Sequence, residues 1–325
     1  MSPLPNPVTN KVILKNYNTP ATIAGVAPSL DYRFALDKTE IDAVSLTDKL
    51  TFSRSATCAF TDSGGNLALA GANVPRFIHD STTKESLGLL RESGSTNLIR
   101  RSTEFNVSPW TTSGVIVTPN SAIAPDGTLT AESLQSTSSN GYIQQTRVTT
   151  VATNTTRVFS VYLRADTSVS LSVQMSLTEY FNFGSITTRS MTANVTTEWQ
   201  RFSLTYSVPG NQFGGGARFI TPRIGGSNSF TTGEKVYAWG FQDEGGSTAT
   251  SFIRTEGSSV SRVETALIDG TGVLTGNYTL VEDPVGCASV SGSDIVINLG
   301  YIAKRVMVFP VSLTSEQITA IRSVM

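Results

Sequence analysis

The feature that most constrains this chain is a train of period-two runs between residues 157 and 244. In "RVFSVYLRA" (157–165), Phe159, Val161 and Leu163 share one face of an extended strand. Val158, Ser160, Tyr162 and Arg164 share the other, which is more polar and reads as the outer face. "LSVQMSL" (171–177), "QRFSLTYSV" (200–208), "ARFITPRIGG" (217–226) and "KVYAWGFQDE" (235–244) repeat the pattern between Gly/Asn/Ser/Thr turns. Strands at this spacing with turn chemistry between them predict an antiparallel β-sandwich.

The rest of the chain arranges itself around that block. Residues 1–30 carry prolines at 3, 5, 7, 20 and 28 and read as an extended N-terminal arm. Within it "KVILKN" (11–16) could pair with a neighbouring strand or stay disordered. Residues 31–95 form a linking β-region. There "LTFSRSATCAF" is strand-like, and the Ser-Gly-Gly of "TDSGGNLALA" favours a tight reversal. Residues 96–258 are the sandwich domain. Residues 259–325 add the strand-like "GVLTGNYTLVED" and "DIVINLGYIAKRVMVF", then a helix. Thr314 can cap that helix with Gln317 closing a capping box, Glu316 suits the first turn, and Ile318, Ile321 and Met325 give it an apolar face. The fold class is therefore all-β: an antiparallel sandwich with an extended arm and a short C-terminal β/helix segment.

Composition removes several function classes. The 325 residues are 39% hydrophobic and 15% charged, enough to bury a core. A net charge of −1, with basic residues concentrated only at Arg100–Arg101, argues against nucleic acid as a partner. Two cysteines, Cys58 and Cys287, and one histidine, His79, cannot complete a four-ligand zinc site. The cysteines read as free thiols, with a single disulfide as the alternative. No run approaches the ~18 apolar residues needed to cross a bilayer, so membrane insertion is not expected. The N-terminus has no apolar segment of signal-peptide type, which implies synthesis in a cytosol without this secretory route.

Several segments resemble a pattern that recurs in structural proteins of tailed bacteriophages. "LTFSRSATCAFTDSGGNLALAGANVPRF" (50–77) is similar to the stretch in which "FSRAST" leads through a turn to "NxPRF". "GLLRESGSTNLIRRSTEFNVSPW" and the following "APDGTLTAESL" (88–134) resemble that family's "GLLIE…TNLL…S", Trp and "APDGT.TA..L". "VYAWGFQDEGGSTATSFIRTEGSSVSR" (236–262) is similar to its "VYLWGAQLE.G…TSYIPT.GS.VTR". Arg254 stands where that pattern has proline, and Arg91 precedes Glu92 where it has an apolar residue. The resemblance implies a carbohydrate-binding-type jelly roll inside a virion protein, commonly a tail fibre, spike or capsid-decoration component. It also implies anchoring to other virion proteins through the N-terminal region.

Candidate chemistry is sparse. Asp243 and Glu244 are adjacent on a strand and point to opposite faces, so they cannot flank one glycosidic bond, which needs facing carboxyls ~5–9.5 Å apart. A surface or turn position is expected for both. His79–Asp80 has no nucleophile motif beside it, and the triple glycine at 214–216 lacks the Lys-Ser/Thr of a phosphate loop. Asp126 of "APDGT" could meet a calcium ion, but Pro-Asp-Gly is foremost turn chemistry. No catalytic residue, metal ligand or cofactor is expected.

Aromatic side chains are the better lead. Trp239 reads as core, while Trp110, next to Pro109, reads as more exposed. The segment 176–185, read as a loop, gathers Tyr180, Phe181 and Phe183. These three and Trp110 are the candidate contacts for a glycan or a partner. The expected function is a non-enzymatic virion component for host attachment, forming a homo-oligomer, a trimer being common in fibres. A glycan-binding adhesin module is the alternative reading. A polysaccharide depolymerase ranks last.

Overall fold

The computed structural model describes residues 30–33, 35–36, 39–40, 50–145, 152, 154–166, 170–181, 184–208, 218–226, 229, 231–269, 277–283, 286–291, 294–296, 301–309 and 311–323. The arm before residue 30, the triple glycine, Phe183 and Met325 lie outside the described residues, as do the side chains of Phe181 and Cys287.

Ten strands between Trp110 and Gly245 build two five-stranded sheets. One runs in the order Trp110–Ser113, Tyr142–Gln145, Arg218–Gly225, Leu171–Phe181, Gly184–Val195. The other runs Val115–Ala122, Ala131–Ser136, Lys235–Gly245, Thr156–Ala165, Gln200–Ser207. Every pairing is antiparallel, and the chain passes repeatedly from one sheet to the other, which makes this a jelly-roll sandwich. The period-two pattern is its cause. Phe159, Val161 and Leu163 meet Val173, Met175 and Leu177 of the facing sheet in one buried cluster, and Tyr162 and Arg164 turn away from it.

The segments before and after the sandwich pair with each other. Leu30–Arg33 lies against Arg305–Phe309, Leu50–Arg54 against Glu264–Asp269, Ser86–Arg91 against Tyr301–Ala303, and Ser95–Asn97 against Val260–Arg262. The chain thus enters and leaves the sandwich through a common β assembly. The hairpin Cys58–Thr61/Leu67–Ala70 extends from it, reversing at Gly65, whose φ of +75° suits glycine. That hairpin covers part of the second sheet, hereafter the docked sheet: Leu67 and Leu69 pack around Trp239 and Phe252.

Trp239 is therefore core, but on the outside of the sandwich. A bulge lets its strand serve two cores. Ser160 pairs with Gln242 but Tyr162 with Trp239, so one residue on the first strand faces two on the other, with Gly240 at φ +69°. Trp239 faces the hairpin, while Phe241, two residues on, turns into the sandwich to meet Phe105, Trp110 and Phe159. At the C-terminus, Ser315–Arg322 is helical with the reciprocal Thr314–Gln317 capping box in place, and buried Ile321 packs with Met307 and Phe309.

Candidate functional site

The residues that carry the family resemblance are buried. Arg54 of "FSR" donates to the carbonyls of Ala56, Ala70, Gly71 and Val74 and so ties off the base of the hairpin. Arg76 of "PRF" bridges Glu264 at 2.5 Å and Glu92 at 2.8 Å, and Arg262 reaches Glu92 at 3.0 Å. Burial works to raise the Glu92 carboxyl, but Arg262 and Arg76 more than offset it and hold it below its ordinary value. Asn97 of "TNL" donates to the carbonyls of Phe241 and Ile253 and accepts from the amides of Ile99 and Asp243. These groups clasp the sandwich to the surrounding β assembly, their polar atoms engaged with one another and with backbone groups.

Asp243 and Glu244 belong to the same clasp, which corrects the surface position expected for them. Both are fully buried. Asp243 pairs with Arg157 at 2.6 Å, and Arg157 shares its strand face with Phe159 and Val161. Glu244 accepts from Ser95 Oγ, Gln242 Nε2, and both the amide and hydroxyl of Thr250. A carboxylate saturated by four donors has no lone pair free for acid or base work. Cys58 is a buried free thiol, raised by that burial, and His79 is buried in its strand. Asp126 accepts from the Thr128 amide and hydroxyl, closing the turn expected at "APDGT".

Of the four aromatic candidates, Trp110 is turned inward. It packs edge-on against Phe105 and Phe241, and its indole N–H donates to the Arg101 carbonyl. The core seat corrects the exposed position expected from its neighbouring proline. Residues 176–181 are strand rather than loop: Leu171–Phe181 and Gly184–Val195 form a long hairpin. Tyr180, half-buried, lies one residue before the end of the first strand on the outer side of its sheet, across a register shift from buried Glu179, whose carboxylate accepts from Tyr206.

That outer side holds a constellation the sequence reading missed. Register places Thr111, Gln144, Arg223, Ser176 and Ser190 in one row across all five strands. Four strand gaps make such a row ~19 Å long, room for more than one small ring. Next to it Thr221, Thr178 and Thr188 form a second row, the last two hydroxyls 3.0 Å apart. Arg223 is the fixed point. Its Nε and Nη2 donate to the Gln144 amide oxygen at 2.9 and 2.6 Å, and its guanidinium lies 4.1 Å from the centre of the Tyr142 ring. Ser176 and Thr178 are buried at the floor, Tyr142, Gln144, Phe219 and Arg223 are half-buried around them, and Thr111, Thr188 and Ser190 are exposed. Among the described residues, the hairpin that covers the docked sheet has no counterpart on this side, here called the open face. Period-two alternation marks these positions as outward. Only cross-strand register brings them together.

No family model matches the chain, and no curated protein does. Among solved structures it is similar to the enzymatically active domain of tailspike protein 4 from Bacteriophage CBA120, with 14% identity and a TM-score of 0.36 over 45% of this chain and 21% of that one. It is also similar to the CBM22-1 xylan-binding domain of Paenibacillus barcinonensis Xyn10C, with 17% identity and a TM-score of 0.33 over 49% of this chain and 99% of that one. A third is a Family 16 Carbohydrate Binding Module-2, with 13% identity and a TM-score of 0.32 over 45% of this chain and 97% of that one. The chain thus spans 21% of the tailspike domain's length. The jelly-roll assignment rests on strand order and register.

Among the described residues no helix is long and apolar enough to cross a membrane.

Proposed function

We propose that this chain is a non-enzymatic glycan-binding protein that engages saccharide on the open face of its jelly roll, within a tailed-bacteriophage virion. The observation that carries the reading is the row Thr111–Gln144–Arg223–Ser176–Ser190 with Tyr142 beneath the guanidinium. Sugars are recognised by planar polar groups that take two hydroxyls at once, by short hydroxyl side chains, and by aromatic carbon against C–H faces. The open face supplies all three, and the Gln144 contact holds Arg223 in place before any ligand arrives. The virion setting rests on the sequence motifs at 50–77, 88–134 and 236–262. Association with other virion proteins through residues 1–30 and homo-oligomerisation, as a trimer or otherwise, belong to the same proposal.

A glycan array probed with the labelled chain tests it. We expect binding to a defined set of surface glycans, and Arg223→Ala should lose ~10-fold or more, since hydrogen bonds from a charged group are worth ~1.5–3 kcal/mol. A correctly folded chain that binds no glycan defeats the reading. Electron microscopy of particles carrying the labelled protein tests the virion setting separately.

A further inference from the structure

We propose a second saccharide site, specific for a pyranose ring bearing a carboxylate, in the pocket where the 58–70 hairpin meets the docked sheet. It rests on the reading that this module binds glycans, but uses none of the open-face residues. The pocket holds about 330 Å³, near the lower end of the ~300–1,000 Å³ usual for small-molecule sites, so it suits one ring rather than a chain. It opens at a junction between packed units, a common place for such sites.

Three aromatic side chains from three different elements line it: Phe60 from the hairpin, Tyr162 from the docked sheet and Phe252 from the segment leaving the sandwich. Phe60 and Tyr162, both half-buried, offer apolar carbon for the C–H face of a sugar ring, and fully buried Phe252 backs the wall. The polar groups are Arg201, Glu92, Thr61, Thr250 and Ser251. Glu92 is already shared by Arg76 and Arg262, and its other oxygen accepts from the Ser251 amide at 2.8 Å.

Arg201 differs. It donates to the Thr250 carbonyl at 2.7 Å and to Ser160 Oγ at 2.9 Å, both neutral acceptors, and lies over the Tyr162 ring. No ion pair to Arg201 forms among the described residues. The wall therefore presents one guanidinium without a counter-charge, fixed by two hydrogen bonds and an aromatic ring. A held guanidinium binds a carboxylate with little reordering. An anionic ring satisfies both the charge and the aromatic walls; a neutral ring satisfies only the second.

Titration calorimetry of the full chain with methyl β-D-glucuronide, methyl β-D-glucoside and sodium phosphate tests the site. We expect saturable glucuronide binding, ~10-fold tighter than glucoside, as one charge-assisted contact warrants. Ala249→Trp, which plugs the pocket from its rim, should abolish it. Arg201→Gln should bring the two sugars to equal affinity, and Arg223→Ala on the open face should leave glucuronide binding unchanged. Should Arg201→Gln fail to fold, the Ala249→Trp result decides alone. Equal binding of glucoside by the parent chain, displacement by phosphate at matched concentration, or an unaffected Ala249→Trp variant each overturns the proposal. Loss of open-face glycan binding alone does not touch it.

Discussion

Arg76 Nη2 sits 2.5 Å from Glu264 Oε1, the two residues 188 positions apart in sequence and neither side chain exposed. The contact joins the segment leading into the sandwich to the segment leaving it. Glu92, Arg262 and Arg54 extend it, so five charged groups share one site. Removing a single member leaves the others uncompensated in a poor dielectric. Arg76→Ala should therefore cost ~3–5 kcal/mol in urea denaturation, whereas the double change Arg76→Met with Glu264→Leu should cost much less. If the single variant lies within ~1 kcal/mol of the parent, the clasp does not hold the assembly together.

That clasp also shows what was readable in the sequence. Locally encoded features came through: the Thr314–Gln317 box, the reversal at Gly65, and the two faces of residues 157–165. Each is set by residues a few positions apart. The fate of Asp243 and Glu244 was not readable, because their partners Arg157, Ser95 and Thr250 come from other strands and loops. Trp110 was misplaced for the same reason, its neighbours Phe105 and Phe241 being brought together by the fold. The open-face row was invisible because each of its members is an ordinary polar residue on its own strand. Residues that looked distinctive in sequence turned out to be structural.

The acid pair offers a direct check. Glu244 accepts from four donors, so Glu244→Gln sets an amide N–H against a neighbouring donor. It should destabilise the chain by ~1–3 kcal/mol. Neither the parent nor this variant should release reducing ends from host polysaccharide. Release by the parent that is lost in a still-folded variant contradicts a structural role for Glu244.

Glu132 should make stability depend on pH. Burial raises its carboxyl from 4.5 to about 7, the Phe105 amide that donates to it at 2.7 Å only partly opposing the shift. A folded value above the unfolded one means that the stabilising contribution is complete below about 4.5 and is lost as pH rises through about 7. Glu132→Gln is neutral throughout and keeps an acceptor for Phe105. It should match the parent near about pH 4 and exceed it by on the order of 2 kcal/mol near about pH 8. Parallel stability curves for the two proteins would rule this out.

Gly240 is the pivot that lets one strand serve two cores. Its φ of +69° is left-handed, and an added Cβ would lie 3.1 Å from Tyr162 Cδ2 and 3.6 Å from Phe252. A non-glycine residue there meets backbone strain of ~1–2 kcal/mol and a tight contact as well. Relieving either by straightening the bulge would put Trp239 and Phe241 on the same face, stripping one core to fill the other. Gly240→Ala should therefore cost ~1–3 kcal/mol and alter Trp239 fluorescence. Gly245→Ala, where a Cβ meets nothing within 4 Å, is the matched control and should stay within ~0.5 kcal/mol of the parent. Equal effects at the two glycines would mean that the bulge tolerates a side chain, and that the division between Trp239 and Phe241 is held by their packing alone.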